Sequence, residues 1–277
     1  MTKRTVLLAL CLPLACTQAA TTDSACPPAN VGVSDLGYSS YQDGDVIRGI
    51  SIDVVEELQK RSGCKLRVLW YPRSRLYAQF LSGKLDVTGA SLRTPERDRY
   101  GTLLPYTYSR FELVLLNKEA GNFRSLAEFV ERSTARLNVT RGIFYNVAIQ
   151  AQFDRLQQQG RLEYVNDFGV VFRKILAGRA EGTLAPLTIH MQNQRQFGLV
   201  GQMSATTVAE APRTLLGLYV SNKVPPDVLQ RYANALRSIV ADGSIQKFYE
   251  HYLDADAMQR LYLDGPREIL DALPPPR

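Results

Sequence analysis

Short apolar runs alternate with amphipathic stretches along most of this 277-residue chain, and that alternation constrains the fold more than any other feature. A buried strand is expected at 31–34, then a turn-rich loop over 35–49. A helix follows over 53–62, opened by Asp53 and Glu56 as a capping box and stopped by Gly63. Its inward stripe is Val54, Val55 and Leu58. A strand at 65–70, a helix at 75–82 with Leu76, Phe80 and Leu81 inward, and strands at 85–88 and 111–116 continue the series. Strands separated by helices return in one direction, so the pattern specifies a parallel sheet of βαβ units and an α/β fold class.

The alternation then starts again. Ser125 and Glu128 form a second capping box, and strands at 136–140, 162–165 and 182–185 are separated by helices at 145–158 and 168–176. A short strand is expected at 197–200 and an apolar one at 214–220. A strong helix over 227–241 buries Leu229, Tyr232, Ala233, Leu236 and Ile239, and a last helix lies near 245–252. The tail carries Pro274, Pro275 and Pro276 and is read as extended. A hydrophobic share of 45% fills real cores, and no tandem repeat of fixed period is present.

Residues 1–20 read as a signal peptide. Lys3 and Arg4 precede an apolar run from Val6 to Ala15, and small residues run on to Ala19 and Ala20, where cleavage is expected. The run is too short to span a bilayer comfortably. Leu14, Ala15 and Cys16 also resemble a lipobox, with Pro13 against it, so lipoprotein anchoring at Cys16 is the minor alternative. Loss of Lys3 and Arg4 takes the 33 basic residues to 31 against 27 acidic ones, a mild excess that gives no reason to expect nucleic acid as a partner. Of four cysteines, Cys26 and Cys64 remain after cleavage. Each precedes a strand, and if those strands are parallel neighbours both thiols stand at one end of the sheet. In an oxidising compartment a disulfide is then expected, with two buried free thiols as the alternative.

Six stretches stand in order along the chain: Gly49-Ile50-Ser51-Ile52-Asp53, Leu81-Ser82-Gly83-Lys84-Leu85-Asp86, Thr94-Pro95-Glu96-Arg97, Pro105-Tyr106, Leu216-Gly217-Leu218-Tyr219-Val220 and Ala241-Asp242-Gly243-Ser244-Ile245. Together they resemble the family 3 extracellular solute-binding proteins, the amino-acid-type receptors of ABC importers. The resemblance implies a two-lobe periplasmic binding protein fold of type II, each lobe a mostly parallel sheet flanked by helices, joined by two crossover strands. Lobe one would take residues 21–116 and 211–277, and lobe two residues 117–210, with hinges near Leu116-Asn117 and Glu210-Ala211. A small solute would bind between the lobes, and closure would present the protein to an ABC permease. On this reading the protein is a periplasmic monomer with no cofactor, no metal, no catalytic residue and no stable membrane insertion.

Candidate ligand residues follow from position and chemistry. Thr94 can cap a short helix with Pro95 at its first position, and Arg97 one turn in suits a carboxylate. The matching arginine of the family holds the ligand's α-carboxylate. Trp70, Tyr71, Arg73 and Arg75 end the second strand, where cleft loops belong. Tyr38 and Tyr41 occupy the loop in which the family presents an aromatic side chain. Ser91 follows the third strand, and Arg141 precedes Gly142 in lobe two. Two departures stand out: Ile143 and Phe144 replace the Ser or Thr usual after that glycine, and Pro186 stands where amino-acid receptors commonly carry an aspartate for the ligand's ammonium. The combination favours a small polar or anionic solute, amino acid or carboxylate-like.

Other chemistry lacks its groups. Only His190 and His251 are present, with no HExxH, CxxC, GxSxG or Walker pattern. His190 is expected as a surface or lobe-two helix residue and His251 as a packing partner of Tyr252. The alternatives are a cyclohexadienyl or arogenate dehydratase-like enzyme on the same fold, with an acid such as Glu181 or Glu210 aimed into the cleft, and a ligand-sensing partner of a membrane receptor.

Overall fold

The computed structural model describes residues 26–262 and 265–276. The signal peptide expected at 1–20, with Cys11 and Cys16, lies outside the described residues. Twelve strands follow in chain order among the described residues: β1 (Ala29–Val33), β2 (Tyr41–Asp43), β3 (Val46–Arg48), β4 (Leu66–Trp70), β5 (Val87–Leu92), β6 (Gly101–Ser109), β7 (Phe111–Leu116), β8 (Leu137–Thr140), β9 (Leu162–Val165), β10 (Gly182–Pro186), β11 (Met203–Thr207) and β12 (Thr214–Ser221). They form two five-stranded sheets, β4-β1-β5-β12-β6 and β11-β7-β10-β8-β9, and the small hairpin β2-β3. In each large sheet four strands run one way and one is reversed, β12 in the first and β7 in the second.

Helices cover both sheets. Ile50–Ser62 and Pro226–Ala241 pack together on the first, burying Val54, Val55, Leu58, Tyr232, Leu236 and Ile239 in one core. In the second, Leu126–Arg132 and Val147–Gln158 bury Phe129, Phe153 and Leu156 against β7, β8 and β10. A third apolar cluster spans both sheets, joining Leu36, Ala90 and Leu216 of the first to Val171, Phe172 and Ile189 of the second.

Three expectations change. Phe111–Leu116, read as a strand of the first lobe, pairs only with β10 and β11, so the chain leaves the first sheet at Arg110 rather than at Leu116-Asn117. The return falls between Thr207 and Thr214, the interval that contains Glu210 and Ala211. No strand forms at 197–200. That segment follows the helix Leu187–Gln196, and the strand lies later, at β11, where Ser204, Thr206 and Thr207 give an exposed edge little apolar signal. The first helix starts at Ile50 with Gly49 as its cap, which places Asp53 inside the helix rather than at its cap.

Close contact between the lobes is made by the loop after β1. Gly37, at φ 58°, lies so near the helix Leu187–Gln196 that a Cβ there would stand 2.6 Å from Ile189 Cα and from the Thr188 carbonyl oxygen. Tyr38 N–H donates to the Thr188 carbonyl at 3.2 Å, and the Ser39 and Thr188 hydroxyls are 3.2 Å apart. Beside them Glu112, the second residue of β7, has no solvent exposure. Its carboxylate meets His190 Nε2 at 2.8 Å and Arg260 Nε at 3.0 Å. His190 comes from the helix Leu187–Gln196 and Arg260 from the C-terminal helix Ala255–Tyr262, so one buried acid ties three segments together. Burial alone would raise the Glu112 pKa, but His190, Arg260 and Arg110 outweigh it and hold the carboxyl below its ordinary value. Of the two places expected for His190, the structure has the lobe-two helix rather than the surface, and the side chain is buried there.

Cys26 and Cys64 form a disulfide, with Cα atoms 5.1 Å apart. Parallel pairing of β1 with β4, Ala29 opposite Leu66, brings the residues before each strand together. The bridge closes a sequence separation of 38, for which the chain-entropy relation gives about 4 kcal/mol. Chemical denaturation of a Cys26→Ser, Cys64→Ser variant should therefore show a stability loss of about 2–4 kcal/mol, and an unchanged midpoint would show that the bridge contributes nothing.

Candidate functional site in the interlobe cleft

Three consecutive features build one wall of the cleft. β5 ends at Leu92, and Ala90 within it is the one non-glycine among the described residues with positive φ, 44°. Such strain persists only where the surroundings fix it. The Thr94 hydroxyl then accepts from Arg97 N–H at 3.2 Å, and Pro95 occupies the first position of the helix Pro95–Asp98. This turn holds Arg97 at 8% exposure, with Nη1 donating to the Leu92 carbonyl at 2.7 Å. Burial is the chief cause that lowers the Arg97 pKa.

A second arginine faces the same place. Arg73 begins the helix Arg73–Leu81, and Tyr77 lies one turn on, so the two share a helix face. The Arg97 guanidinium carbon sits 3.6 Å from the Tyr77 ring centroid and that of Arg73 4.9 Å, both within cation–π range. Burial would raise the Tyr77 phenol, yet Arg73 and Arg97 outweigh it and lower its pKa. Arg73 Nη1 donates to the Ser34 hydroxyl at 3.3 Å, while its Nε is buried without a hydrogen-bond partner. Neither guanidinium forms an ion pair with a carboxylate among the described residues.

The opposite wall comes from the second sheet: Phe111, Ile143, Phe144, Pro186, Thr188 and Ile189 face Leu36, Ser39, Arg73, Leu92, Arg97 and Leu216 across a space of about 40 Å³. Arg73 and Ile143 also border a neighbouring chamber of about 250 Å³, with Asp35, Trp70, Tyr71, Thr140, Asn166, Asp167 and Phe168. On the hinge side, Leu92, Phe111 and Phe144 border a third cavity of about 380 Å³ that reaches Pro105, Ile149, Pro212 and Leu215. Two arginines from one sheet and an apolar face from the other thus meet between the lobes.

Residues 30–255 match the model of the bacterial extracellular solute-binding proteins, family 3. The chain belongs to that family. No curated protein matches its sequence. Among solved structures it is similar to an ancestral arginine-binding protein bound to arginine, with TM-score 0.66 and 18% identity over 82% of this chain and 98% of that one. An ancestral amino-acid-binding protein described as a precursor of cyclohexadienyl dehydratase matches with TM-score 0.65 and 19% identity over 82% and 95%. The substrate-binding protein of an amino acid ABC transporter matches with TM-score 0.61 and 15% identity over 82% and 99%. Likeness at these identities shows the two-lobe fold.

In this family member the expected site residues are not all together. Arg73 and Arg97 share the cleft. Trp70 and Tyr71 line the neighbouring chamber. Ser91 is fully buried, its hydroxyl 2.8 Å from that of Thr88 and 3.1 Å from that of Tyr77, so it fixes Tyr77 rather than facing the cleft. Arg75 is exposed and lines none of these spaces; Arg141 is exposed with Nη1 3.4 Å from Asn166 Oδ1. Tyr38 and Tyr41 lie away from Arg97, in a pocket with Tyr252, His251, Gln192 and Arg195. His251 packs edge-on against Tyr252 at 4.8 Å. Tyr77, missed in the sequence, was signalled only by its spacing of four from Arg73.

The two acids considered for catalysis are held by other contacts. Glu181 pairs with Arg136 at 2.7 Å, and the Glu210 carboxylate accepts from Leu126 and Ala127 N–H groups at 2.8 and 3.1 Å. Neither lines the cleft. Beside the tyrosine pocket, the Asp53 carboxyl is raised to about 6, first by loss of solvation, then by Glu56, with His251 opposing. A raised carboxyl pKa means the folded state holds a proton more tightly than the unfolded chain, so stability falls as pH rises from about 4 to about 6. Asp53→Asn should remove that slope and gain about 1 kcal/mol at pH 7. Denaturant midpoints of both proteins between pH 4 and 8 would check it; parallel curves would refute the assignment.

Proposed function

We propose that this protein captures a small anionic or polar solute, amino acid or carboxylate-like, between its lobes, and that the lobes are the functional domains, the second spanning about 111–208. The observation that carries the reading is the pair Arg73 and Arg97, half-buried and buried at the lobe interface around Tyr77, with no carboxylate of their own. Two guanidiniums held largely away from solvent without a counter-ion are costly, and an anionic ligand that neutralises them is correspondingly favoured. Closure would follow from contacts made with both walls at once, Arg73 and Arg97 on one and residues 143–144 and 188 on the other.

The family membership and the likeness to a substrate-binding protein of an amino acid ABC transporter support delivery to an ABC importer permease. The signal-peptide pattern of residues 1–20 supports a periplasmic location, and no helix among the described residues is long and apolar enough to cross a membrane. We read the protein as a binder rather than an enzyme, supported by the placement of Glu181 and Glu210, the acids considered for catalysis, away from the cleft.

Calorimetry of the purified protein with a panel of carboxylates and amino acids tests the reading. Arg97→Ala should weaken the best ligand by about 1.5–3 kcal/mol, the range for a charge-assisted hydrogen bond. Equal affinity in the variant would refute its role.

A further inference from the structure

We infer that the solute is a monocarboxylate with an apolar body and no α-ammonium group, an inference that rests on the binding reading above and narrows it. The cleft contains two cationic side chains and no acidic one, and its hydroxyls are few: Ser39 and Thr188 already face each other, leaving Ser109. An ammonium placed there would have to give up its water for a wall made of Leu36, Leu92, Ile143, Phe144, Leu216 and the ring of Pro186. Asp35 and Asp167 belong to the neighbouring chamber rather than to the cleft, and each gives one carboxylate oxygen to a backbone N–H. Asp35 Oδ1 accepts from Gly37 N–H at 3.3 Å, and Asp167 Oδ1 caps a helix by accepting from Val170 N–H at 2.7 Å.

The apolar body follows from space. At about 40 Å³ the cleft holds no solute as it stands, so binding must part Leu36, Leu92, Ile143 and Leu216, which pack in one apolar cluster. Those contacts are replaced without loss only by a ligand that is itself apolar beyond its charged end. Leu92, Phe111 and Phe144 border both the cleft and the 380 Å³ hinge-side cavity, which Pro105, Ile149, Pro212 and Leu215 line together with Arg93 and the ion pair Arg213–Glu268. The tail then runs from the carboxylate at Arg73 and Arg97 past Phe144 along the apolar residues of that cavity.

Matched acids decide it: 4-methylpentanoate against leucine, 3-phenylpropanoate against phenylalanine, and glutarate as a polar control, titrated into the wild-type protein. The expected result is that each apolar acid binds at least tenfold more tightly than its amino twin and than glutarate. Arg97→Ala should then lose the apolar acids, and Phe144→Ser should weaken them about fivefold. Pro186→Asp, which puts a carboxylate at the start of the helix Leu187–Gln196, should narrow the gap between leucine and 4-methylpentanoate. Equal or tighter binding of the amino twins overturns the inference and leaves the binding reading intact, and tighter binding of glutarate overturns the apolar body. Binding of no acid, with or without an amine, overturns both.

Discussion

Glu112 carries a charge at a place that water does not reach, and the relation between the two sheets depends on it. It stands two residues beyond Arg110, where the chain steps from one sheet to the other. Its two oxygens face His190 from the second lobe and Arg260 from the last part of the chain. Arg110 strengthens the knot through its backbone, accepting from Leu187 N–H at 3.0 Å, and through Nη1, which donates to the Arg260 carbonyl at 3.2 Å. Removing one member of such a buried set leaves an uncompensated charge, at a cost of about 3–5 kcal/mol. Its value is geometric: the start of the helix Leu187–Gln196, and with it Thr188 and Ile189, is fixed against the loop that follows β1.

With that helix in place, the cleft has one charged wall and one apolar wall. Each arginine is set by local backbone rules, Arg97 by the Thr94 cap and Arg73 by the start of its helix. Tyr77 keeps the two cations in a defined arrangement without neutralising them, because an aromatic face attracts a guanidinium while leaving its hydrogen-bond donors free. Ser91 in turn fixes Tyr77. The apolar wall is made by Phe111, Ile143, Phe144, Pro186 and Ile189.

Much of this was legible in the sequence, and the reasons differ by element. Periodic apolar residues gave most of the strands and helices of both lobes, though not β6 or the hairpin β2-β3, and the Thr94-Pro95 start of the Arg97 turn follows from capping chemistry alone. The positions of Cys26 and Cys64 before their strands pointed to the disulfide. Harder to read were features set by pairing rather than by local pattern. β7 is as apolar as any strand of the first sheet, and only its partners β10 and β11 assign it to the second. β11, an edge strand of small polar residues, gave no pattern at all. Only the resemblance places Tyr38 and Tyr41 in the cleft, because the family presents an aromatic side chain from that loop. Instead, the close approach of Gly37 to the helix Leu187–Gln196 turns their rings toward Tyr252.

The reversed strand β12 has a consequence for how the molecule assembles. It lies between β5 and β6, so the middle of the first sheet is supplied by residues 214–221 while its neighbours are complete by residue 109. Closing that sheet requires a loop of about a hundred residues to be brought round, an entropy cost that slows folding. The second sheet is built from one continuous stretch, β7 to β11, and although β7 must itself wait for β10 and β11, all of it precedes β12 in the chain. During synthesis the second lobe is therefore able to form first, as a unit around which the first lobe is later closed.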